Sequence, residues 1–345
     1  MREEIRSTAM PRCPLCGGGG GSVLYADLPD RLFDAQGRWS HRRCSSRECG
    51  LVWLDPMPRP DDIHLAYRRY YTHAPARERA GLVEGLLGAA KRGYLANVYG
   101  YRATPAERLA GLLPWIYPGR PSELDFSVMW LPASRRGRLL DVGAGSGWLV
   151  EQMNALGWRA EGLDFDAEAI ARARARGLTM HAGGLLTHEF PPETYDAVTM
   201  SHSIEHVHEP GRWLAEVRRI LRPGGTLVVA TPNSDSLLHR RFGAYWFPLD
   251  PPRHLQIFNR RSLERALSGA GFCEWTVFSS VRDANNVWIR SRSIRRTGRF
   301  DMLGAIPRGA KIAGRALQLL ELMAGLVRAD AGEDLVALAR RDAGS

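Results

Sequence analysis

The chain has 345 residues, of which 44% are hydrophobic, and its formal net charge is +10. This length favours one large domain with a smaller addition, and the apolar content excludes a disordered chain. The N-terminal residues alternate in charge around no apolar core, and no stretch approaches the ~20 apolar residues that a membrane-spanning helix needs. The sequence therefore predicts a cytoplasmic protein with neither a signal peptide nor a membrane span.

Four of the five cysteines lie in two close pairs near the N-terminus. Cys13 and Cys16 form C-x2-C, and Cys44 and Cys49, after 27 intervening residues, form C-x4-C. Thiolates in two such turns suit tetrahedral zinc, and a ribbon this small cannot bury enough apolar surface to fold without help. The four cysteines are therefore predicted to hold a structural zinc ion, with a thiolate at every coordination position. Cys273 stands apart and is predicted to be a buried strand residue.

The chain is predicted to have three parts. Residues 1–71 form the cysteine-containing leader. Residues 72–136 contain helical patterns interrupted by glycines and prolines, and we interpret them as a helical neck or lid over a substrate. Residues 137–345 are predicted to be the main domain.

The sequence RLLDVGAGSGWL, residues 138–149, is an apolar run that ends in alternating glycines. The run predicts a buried strand, and a helix is expected from Trp148 to about Leu156. A strand, a glycine turn and a helix N-terminus together bring backbone N–H groups to an anionic ligand group. The turn alone is weak evidence, because tight turns also need glycine for steric reasons. However, WRAEGLDFD predicts a second strand ending at Asp164, 21 positions after Gly143, where a carboxylate can accept both hydroxyls of a ribose.

Strand and helix patterns continue to alternate after Asp164. AEAIARARARG and GRWLAEVRRIL predict helices, while LTMHAG, YDAVTMSHS and TLVVATPN predict strands. Such alternation requires parallel strands joined by helical crossovers. The fold class is therefore predicted to be α/β, with a doubly wound, mostly parallel sheet.

The segments LLDVGAGSGWL, GLDFD, YDAVTMSHSIEHVHEP and LRPGGTLVVATPN resemble, in this order, the motifs of class I S-adenosylmethionine-dependent methyltransferases. The resemblance covers roughly residues 137–280 and implies a seven-stranded, Rossmann-like methyltransferase sheet. It also implies that the glycines surround the methionine end of the cofactor, that Asp164 binds the ribose, and that Phe165 and Leu185 flank the adenine. The residues expected to bind S-adenosylmethionine are Asp141, Gly143, Ala144, Gly145, Gly147, Asp164, Phe165, Leu185 and Ser201.

The chemistry implied by this resemblance is an in-line displacement at the sulfonium methyl group. Because the leaving group departs neutral, the protein has mainly to align a nucleophile with the methyl group and to exclude water. A nicotinamide-dependent oxidoreductase is the alternative. It is disfavoured because Trp148 stands where a dinucleotide-binding turn has its last glycine.

Histidines are concentrated directly after the strand YDAVTMSHS. His202, Glu205, His206 and His208 fall at the predicted C-terminal edge of the sheet, where open α/β sheets bind ligands, and His254 follows the next strand. Three interpretations are open: a hydrogen-bonded scaffold, a histidine general base, or a divalent metal site. The metal is least favoured, because His202 replaces the first glutamate of the E-x-x-E-H pattern of some RNA 2′-O-methyltransferases. The catalytic candidates are His202, Glu205, His206 and His254.

The leader, from CPLCG to CSSRECGLVWLDPMPRPDDIHLAYRRYY, resembles the zinc-ribbon leader of a bacterial methyltransferase subgroup. Members of this subgroup often accompany enzymes of sugar and polysaccharide biosynthesis. The resemblance implies methyl transfer to a small molecule, at an oxygen of a sugar, a glycolipid or a related intermediate. One alternative is an RNA methyltransferase, although no basic strand with interleaved aromatic residues favours nucleic acid as a partner. Another is a cofactor-binding interaction protein without enzymatic activity.

About fifty residues separate the strand CEWTVFSS from EDLVALARR, residues 333–341, which predicts the last strand. The intervening residues, about 284–330, are therefore predicted to be a helical insertion before that strand. Residues 290–315 carry eight basic side chains against one acid, Asp301. One apolar helical face is predicted for Ile312, Ala316, Leu319, Leu320, Met323, Leu326 and Val327. We expect this face to pack as a lid on the neck, and the alternative is peripheral contact of residues 308–328 with an anionic membrane.

Overall fold

The computed structural model describes residues 4–68, 82–117, 119–302, 304 and 306–343. The chain divides into two compact units. Unit 1 consists of Met1–Tyr71, His202–Ala215 and Val229–Leu338, and unit 2 consists of Thr72–Ser201, Glu216–Val228 and Ala339–Ser345. The cysteine leader and the histidine segments thus belong to unit 1, and the glycine turn belongs to unit 2. The predicted boundary between residues 71 and 72 lies outside the described residues, and the three-part division stays a prediction.

The strands and helices follow the predicted alternation closely. The strands are β1 (Ser7–Thr8), β2 (Ser22–Leu28), β3 (Trp39–Arg43), β4 (Val52–Leu54), β5 (Met57–Pro58), β6 (Arg138–Val142), β7 (Arg159–Asp164), β8 (Met180–Ala182), β9 (Tyr195–Ser201), β10 (Leu221–Pro232), β11 (Gln256–Ile257), β12 (Glu274–Ser280) and β13 (Asp334–Arg340). The α-helices are α1 (Leu82–Tyr99), α2 (Pro105–Ala110), α3 (Arg120–Phe126), α4 (Trp148–Ala155), α5 (Ala167–Ala175), α6 (Pro210–Ile220), α7 (Leu237–Phe242), α8 (Arg260–Gly269), α9 (Ala284–Thr297) and α10 (Arg308–Val327).

Seven strands form the main sheet, in the order β12-β13-β10-β9-β6-β7-β8. β6 is parallel to both β7 and β9, and β7 is parallel to β8. β13 runs antiparallel to β10, because Gly224 N–H donates to Arg341 O while Asn233 N–H donates to Glu333 O, which joins opposite ends of the two segments. The predicted doubly wound, seven-stranded and mostly parallel sheet is therefore confirmed.

The leader contributes to a second, smaller sheet. Its strand order is β11-β4-β3-β2, and every neighbouring pair is antiparallel. β11 comes from far along the chain and pairs with β4. Trp53 of β4 lies opposite Gln256 of β11 and is fully buried, and its indole N–H donates to Met10 O at 2.9 Å. The leader strands and a strand from the second half of the chain are therefore parts of one compact unit.

The predicted helical neck corresponds to α1, α2 and α3, although residues 69–81 and 118 lie outside the described residues. The start of α2 is fixed by a capping box: the Thr104 side chain accepts the backbone N–H of Glu107, and the Glu107 side chain accepts the backbone N–H of Thr104. The predicted insertion before the last strand is also confirmed, since α9 and α10 lie between β12 and β13. None of the described helices combines the length and the apolar content needed to cross a bilayer.

Two expectations about burial are wrong. Cys273 is exposed and lies in the irregular connection directly before β12, which begins at Glu274. The apolar face of α10 is also exposed rather than packed, with Val327 93% and Ile312 71% accessible. The buried side of α10 carries polar side chains instead: Gln318 donates hydrogen bonds to Val281 O and Arg282 O at 2.9 and 3.2 Å.

Candidate active site

The turn between β6 and α4 contains three glycines in the left-handed region. Gly143, Gly145 and Gly147 have φ angles of 81°, 51° and 75°, which are costly for any residue with a Cβ. Gly143 N–H donates to Leu163 O at 2.8 Å, which holds the turn against β7. A Cβ on Gly147 would lie 2.9 Å from Leu178 Cδ1. The glycines are therefore required by this turn, and they leave its backbone open to close approach.

Asp164 ends β7 and directs its carboxylate to the turn. Its Oδ2 accepts the N–H of Gly145 at 2.7 Å, and its Oδ1 accepts the N–H of Asp166 at 2.9 Å. Each carboxylate oxygen has a second lone pair, so the side chain retains acceptor capacity for two ribose hydroxyls. Phe165, the next residue, is 66% exposed and offers a ring face to an adenine. The donor and acceptor groups present here fit S-adenosylmethionine.

The remaining predicted cofactor residues are less accessible. Asp141 is buried within the sheet, where it accepts the Thr199 hydroxyl at 2.7 Å, and burial raises its pKa to about 7. Ala144 and Leu185 are buried. Ser201 ends β9, which runs beside β6. A direct contact of these four residues with the cofactor stays a prediction.

Two neutral histidines face each other in unit 1. The rings of His206 and His254 lie edge to face, with centroids 4.6 Å apart. His206 Nδ1 lies 3.0 Å from Arg253 O, and His254 Nδ1 lies 2.7 Å from Pro248 O. Because a carbonyl oxygen only accepts, each ring carries its hydrogen on Nδ1 and a lone pair on Nε2. Burial lowers the pKa of His206 to about 4 and also lowers the pKa of His254, so both rings are neutral at pH 7.

Glu205 adds a fully buried carboxylate to this group. Its Oε2 accepts the Thr231 hydroxyl at 2.9 Å, whereas its Oε1 accepts no hydrogen bond. His202 Nδ1 lies 3.4 Å from Oε1, which is within ion-pair distance. Burial alone would raise the pKa of Glu205, but the neighbouring His202 lowers it to about 2, so the carboxylate is ionised. We call Glu205, His206 and His254 the histidine cluster.

The leader holds the histidine cluster in place. Tyr67 Oη lies 3.0 Å from His206 Nδ1. The fully buried guanidinium of Arg253, whose carbonyl fixes His206, donates to both carboxylate oxygens of Asp30 at 2.8 Å and also pairs with Asp250. Sequence reasoning missed these contacts. No local pattern signals them, because Tyr67 and Asp30 are 139 and 223 positions from their partners.

The four leader cysteines converge as predicted. Cys13 Sγ and Cys49 Sγ are 3.8 Å apart, Cys16 Sγ and Cys44 Sγ are 3.5 Å apart, and all four sulfurs lie within 4.8 Å of one another. Four thiolates around zinc at ~2.3 Å have S···S edges of about 3.8 Å. The glycines after each pair, Gly17 and Gly50, are left-handed, with φ of 70° and 65°, which lets each turn close around a metal. The cluster therefore fits a tetrahedral zinc ion.

Comparison with known proteins agrees with the geometry of the main sheet. Residues 122–276 match the family model of a methyltransferase domain. A "Probable S-adenosylmethionine-dependent methyltransferase" of Mycolicibacterium smegmatis is 32% identical over 136 residues, which are 39% of this chain and 51% of that protein. A ubiquinone biosynthesis O-methyltransferase of Burkholderia lata is 33% identical over 117 residues, 32% of this chain and 48% of that protein. The chain thus spans about half the length of these curated relatives.

A solved structure from Thermotoga maritima, of a SAM-dependent methyltransferase described as a possible histamine N-methyltransferase, is 19% identical. It aligns with a TM-score of 0.44 and covers 68% of this chain and 95% of that chain. The family match contains the glycine turn, Asp164 and the histidine cluster, but neither the cysteine leader nor α10. Residues 122–276 are thus similar to a methyltransferase domain, and the zinc-ribbon subgroup stays a prediction.

Proposed function

We propose that this protein transfers the methyl group of S-adenosylmethionine to an oxygen of a small molecule. The observation that carries the proposal is the left-handed glycine turn facing Asp164, within residues that match a methyltransferase domain. The turn would take the methionine end of the cofactor, Asp164 the ribose, and Phe165 the adenine. The acceptor is proposed to be a sugar, a glycolipid or a related biosynthetic intermediate.

The histidine cluster is proposed to receive the acceptor hydroxyl. It follows β9 directly along the chain, and open α/β sheets commonly bind ligands after the carboxyl ends of their strands. Two unprotonated Nε2 atoms and an ionised carboxylate are groups that favour loss of a proton from a hydroxyl as the methyl group arrives. Oxygen as the acceptor is also supported by the relative from Burkholderia lata, which is named as an O-methyltransferase.

The test uses S-adenosylmethionine labelled in its methyl group. The purified protein is incubated with fractionated small metabolites, lipids and RNA, and label is followed into each fraction. Label in a small-molecule or lipid fraction, lost with Asp164→Ala, supports the proposal. Label in RNA alone would instead identify an RNA methyltransferase. Cofactor binding without label in any fraction would contradict methyl transfer and favour a binding protein.

We also propose that the cysteine cluster holds one structural zinc ion. Four converging thiolates leave no coordination position for a substrate, so the ion would stabilise the leader rather than take part in chemistry. The purified protein should contain about one zinc per chain by elemental analysis. A folded wild-type protein without zinc would contradict this assignment.

We further propose that α10 lies on an anionic membrane surface, so that a cytoplasmic protein makes peripheral membrane contact. Its exposed face combines Ile312, Leu320 and Val327 with the exposed basic side chains of Lys311 and Arg315 along one edge. An exposed apolar face with flanking cations complements anionic lipid, which attracts each basic residue near the surface by about 1 kcal/mol.

Flotation with phosphatidylcholine vesicles, with and without phosphatidylserine, tests this surface. Binding should require phosphatidylserine, weaken with salt because the charges are exposed, and fall in Leu320→Asp. Val23→Asp is the matched control, because Val23 is an exposed apolar residue of the leader. No binding at low salt, or equal loss in the control, would refute the membrane contact.

A further inference from the structure

The histidine cluster has the donor set of a metal site. One nitrogen from each of His206 and His254 and one carboxylate oxygen of Glu205 all lie within 4.8 Å of one another. Since both Nδ1 atoms donate to carbonyl oxygens, Nε2 is the nitrogen that each ring can offer. A backbone carbonyl on Nδ1 is the usual outer contact that fixes the orientation of a metal-binding histidine.

The carboxylate of Glu205 adds a third possible ligand to the two imidazoles. Imidazole nitrogens and carboxylate oxygens are both common ligands of divalent metal ions. Glu205 Oε1 is fully buried and accepts no hydrogen bond, and His202 Nδ1 lies 3.4 Å away, so this oxygen keeps lone pairs for a metal ion. The three side chains therefore place one possible ligand atom each within 4.8 Å of one another, which is close enough for all three to bind one cation.

We propose that Glu205, His206 and His254 bind one divalent transition-metal ion, separate from the zinc of the leader. Two imidazoles and one carboxylate suit zinc, manganese or ferrous iron, and they leave coordination positions open. Thr231, which donates to Glu205 Oε2, and the carbonyls of Arg253 and Pro248, which hold the rings, would orient the three ligands. His202 Nδ1, 3.4 Å from Glu205 Oε1, would also lie near the ion. All three residues belong to unit 1. Glu205 and His206 are adjacent in sequence, and His254 follows about fifty residues later.

The ion would change how the proposed reaction removes a proton. An acceptor hydroxyl that filled an open position on a divalent metal would have a lowered pKa and could give its proton to solvent water, and His206 and His254 would then contribute as ligands of the ion instead of as bases. This role rests on the proposed function, whereas the metal site itself does not.

The experiment titrates the zinc-loaded protein with Mn²⁺, Co²⁺ and Zn²⁺. Calorimetry gives the stoichiometry, and electron paramagnetic resonance follows the free Mn²⁺ signal. We expect one further ion per chain. Bound Co²⁺ should lack the intense thiolate-to-metal absorption of a cysteine site, which separates this site from the leader. The variants are Glu205→Gln and His254→Gln, with His64→Gln as control because His64 is exposed and lies outside the cluster.

Affinity for the further ion should fall at least about tenfold in Glu205→Gln and His254→Gln and stay unchanged in His64→Gln. Thermal unfolding of the zinc-loaded variants, before any further ion is added, checks that both still fold. The proposal is overturned when none of the three ions binds, or when the cluster variants and the control bind equally. Metal binding without methyl transfer would count against the proposed function alone, and methyl transfer without metal binding would count against this site alone.

Discussion

The glycine turn and the histidine cluster are built in opposite ways. The turn is local: β6, three left-handed glycines and α4 lie within eighteen consecutive residues, and one nearby strand supplies Asp164. The histidine cluster is assembled from distant segments, with Glu205 and His206 after β9, His254 near β11, Thr231 in β10 and Tyr67 in the leader. Binding the cofactor thus depends on backbone geometry, whereas the proposed chemistry depends on side chains brought together by the fold of unit 1.

The largest expected effect is that of removing the zinc ion proposed for the leader. Cys13→Ser should release the ion and unfold the leader, because the small ribbon depends on its metal. Tyr67 and Asp30 would then no longer hold His206 and Arg253, so methyl transfer should be lost, while affinity for S-adenosylmethionine stays within a few-fold. Zinc content, activity and cofactor calorimetry are measured together. Cys273→Ser is the control. Loss of affinity for S-adenosylmethionine in Cys13→Ser would contradict the claim that the glycine turn binds the cofactor independently of the leader.

Removal of one imidazole should affect chemistry alone. His206→Ala or His254→Ala should lower turnover by about 10²–10⁴, the usual contribution of a group that handles a transferred proton. Affinity for S-adenosylmethionine should be nearly unchanged, because the glycine turn is intact. Single-turnover rates and calorimetry separate the two quantities. Rates within a few-fold of wild type for both variants would assign these histidines to the scaffold.

Acidification should leave the chemistry intact over a wide range. For a histidine with the ordinary pKa of about 6.5, only about one molecule in thirty would carry the neutral ring at pH 5. The pKa of His206 is lowered to about 4, so its neutral form persists and kcat/KM should hardly fall between pH 7 and pH 5. A decline with a midpoint near pH 6.5 would show that the acting group is not this buried imidazole.

Among the substitutions, the smallest effect is expected in the glycine turn itself. Gly147→Ala should destabilise the protein by ~1–2 kcal/mol, because alanine is strained at the left-handed φ of 75° and its Cβ would approach Leu178 Cδ1. Gly211→Ala is a matched control within α6, where nothing lies near the added Cβ, and it should be neutral or stabilising. Denaturant unfolding measures both, and equal stabilities would remove the conformational argument for this glycine.

The contrast between the two regions also explains what the sequence could predict. The helix expected from Trp148 to about Leu156 is observed as Trp148–Ala155, and the last strand expected at 333–341 is observed as Asp334–Arg340. These elements follow from local periodicity and from glycine as a stop signal. The convergence of Cys13, Cys16, Cys44 and Cys49 was likewise predictable, because thiolate spacing is a local pattern.

Other features depend on long-range packing and carry no local signal. The sequence pattern of α10 correctly predicts an apolar face. It does not predict that this face, with Ile312, is exposed while Gln318 lies on the buried side. The prediction that Cys273 is a buried residue of the strand CEWTVFSS is wrong, because β12 begins one residue later, at Glu274. The tautomers of His206 and His254 depend on carbonyls at Arg253 and Pro248, whose positions only the folded chain determines.

Calorimetric titration with S-adenosylmethionine tests the central claim most directly, which is that the glycine turn and Asp164 bind this cofactor. Wild type should bind one equivalent, and Asp164→Ala should bind more weakly by ~2–4 kcal/mol, because two ribose hydroxyls lose their buried acceptor. His254→Ala should bind as wild type does, and a nicotinamide dinucleotide should not bind. Unchanged affinity in Asp164→Ala, or binding of the dinucleotide in place of S-adenosylmethionine, would contradict the account.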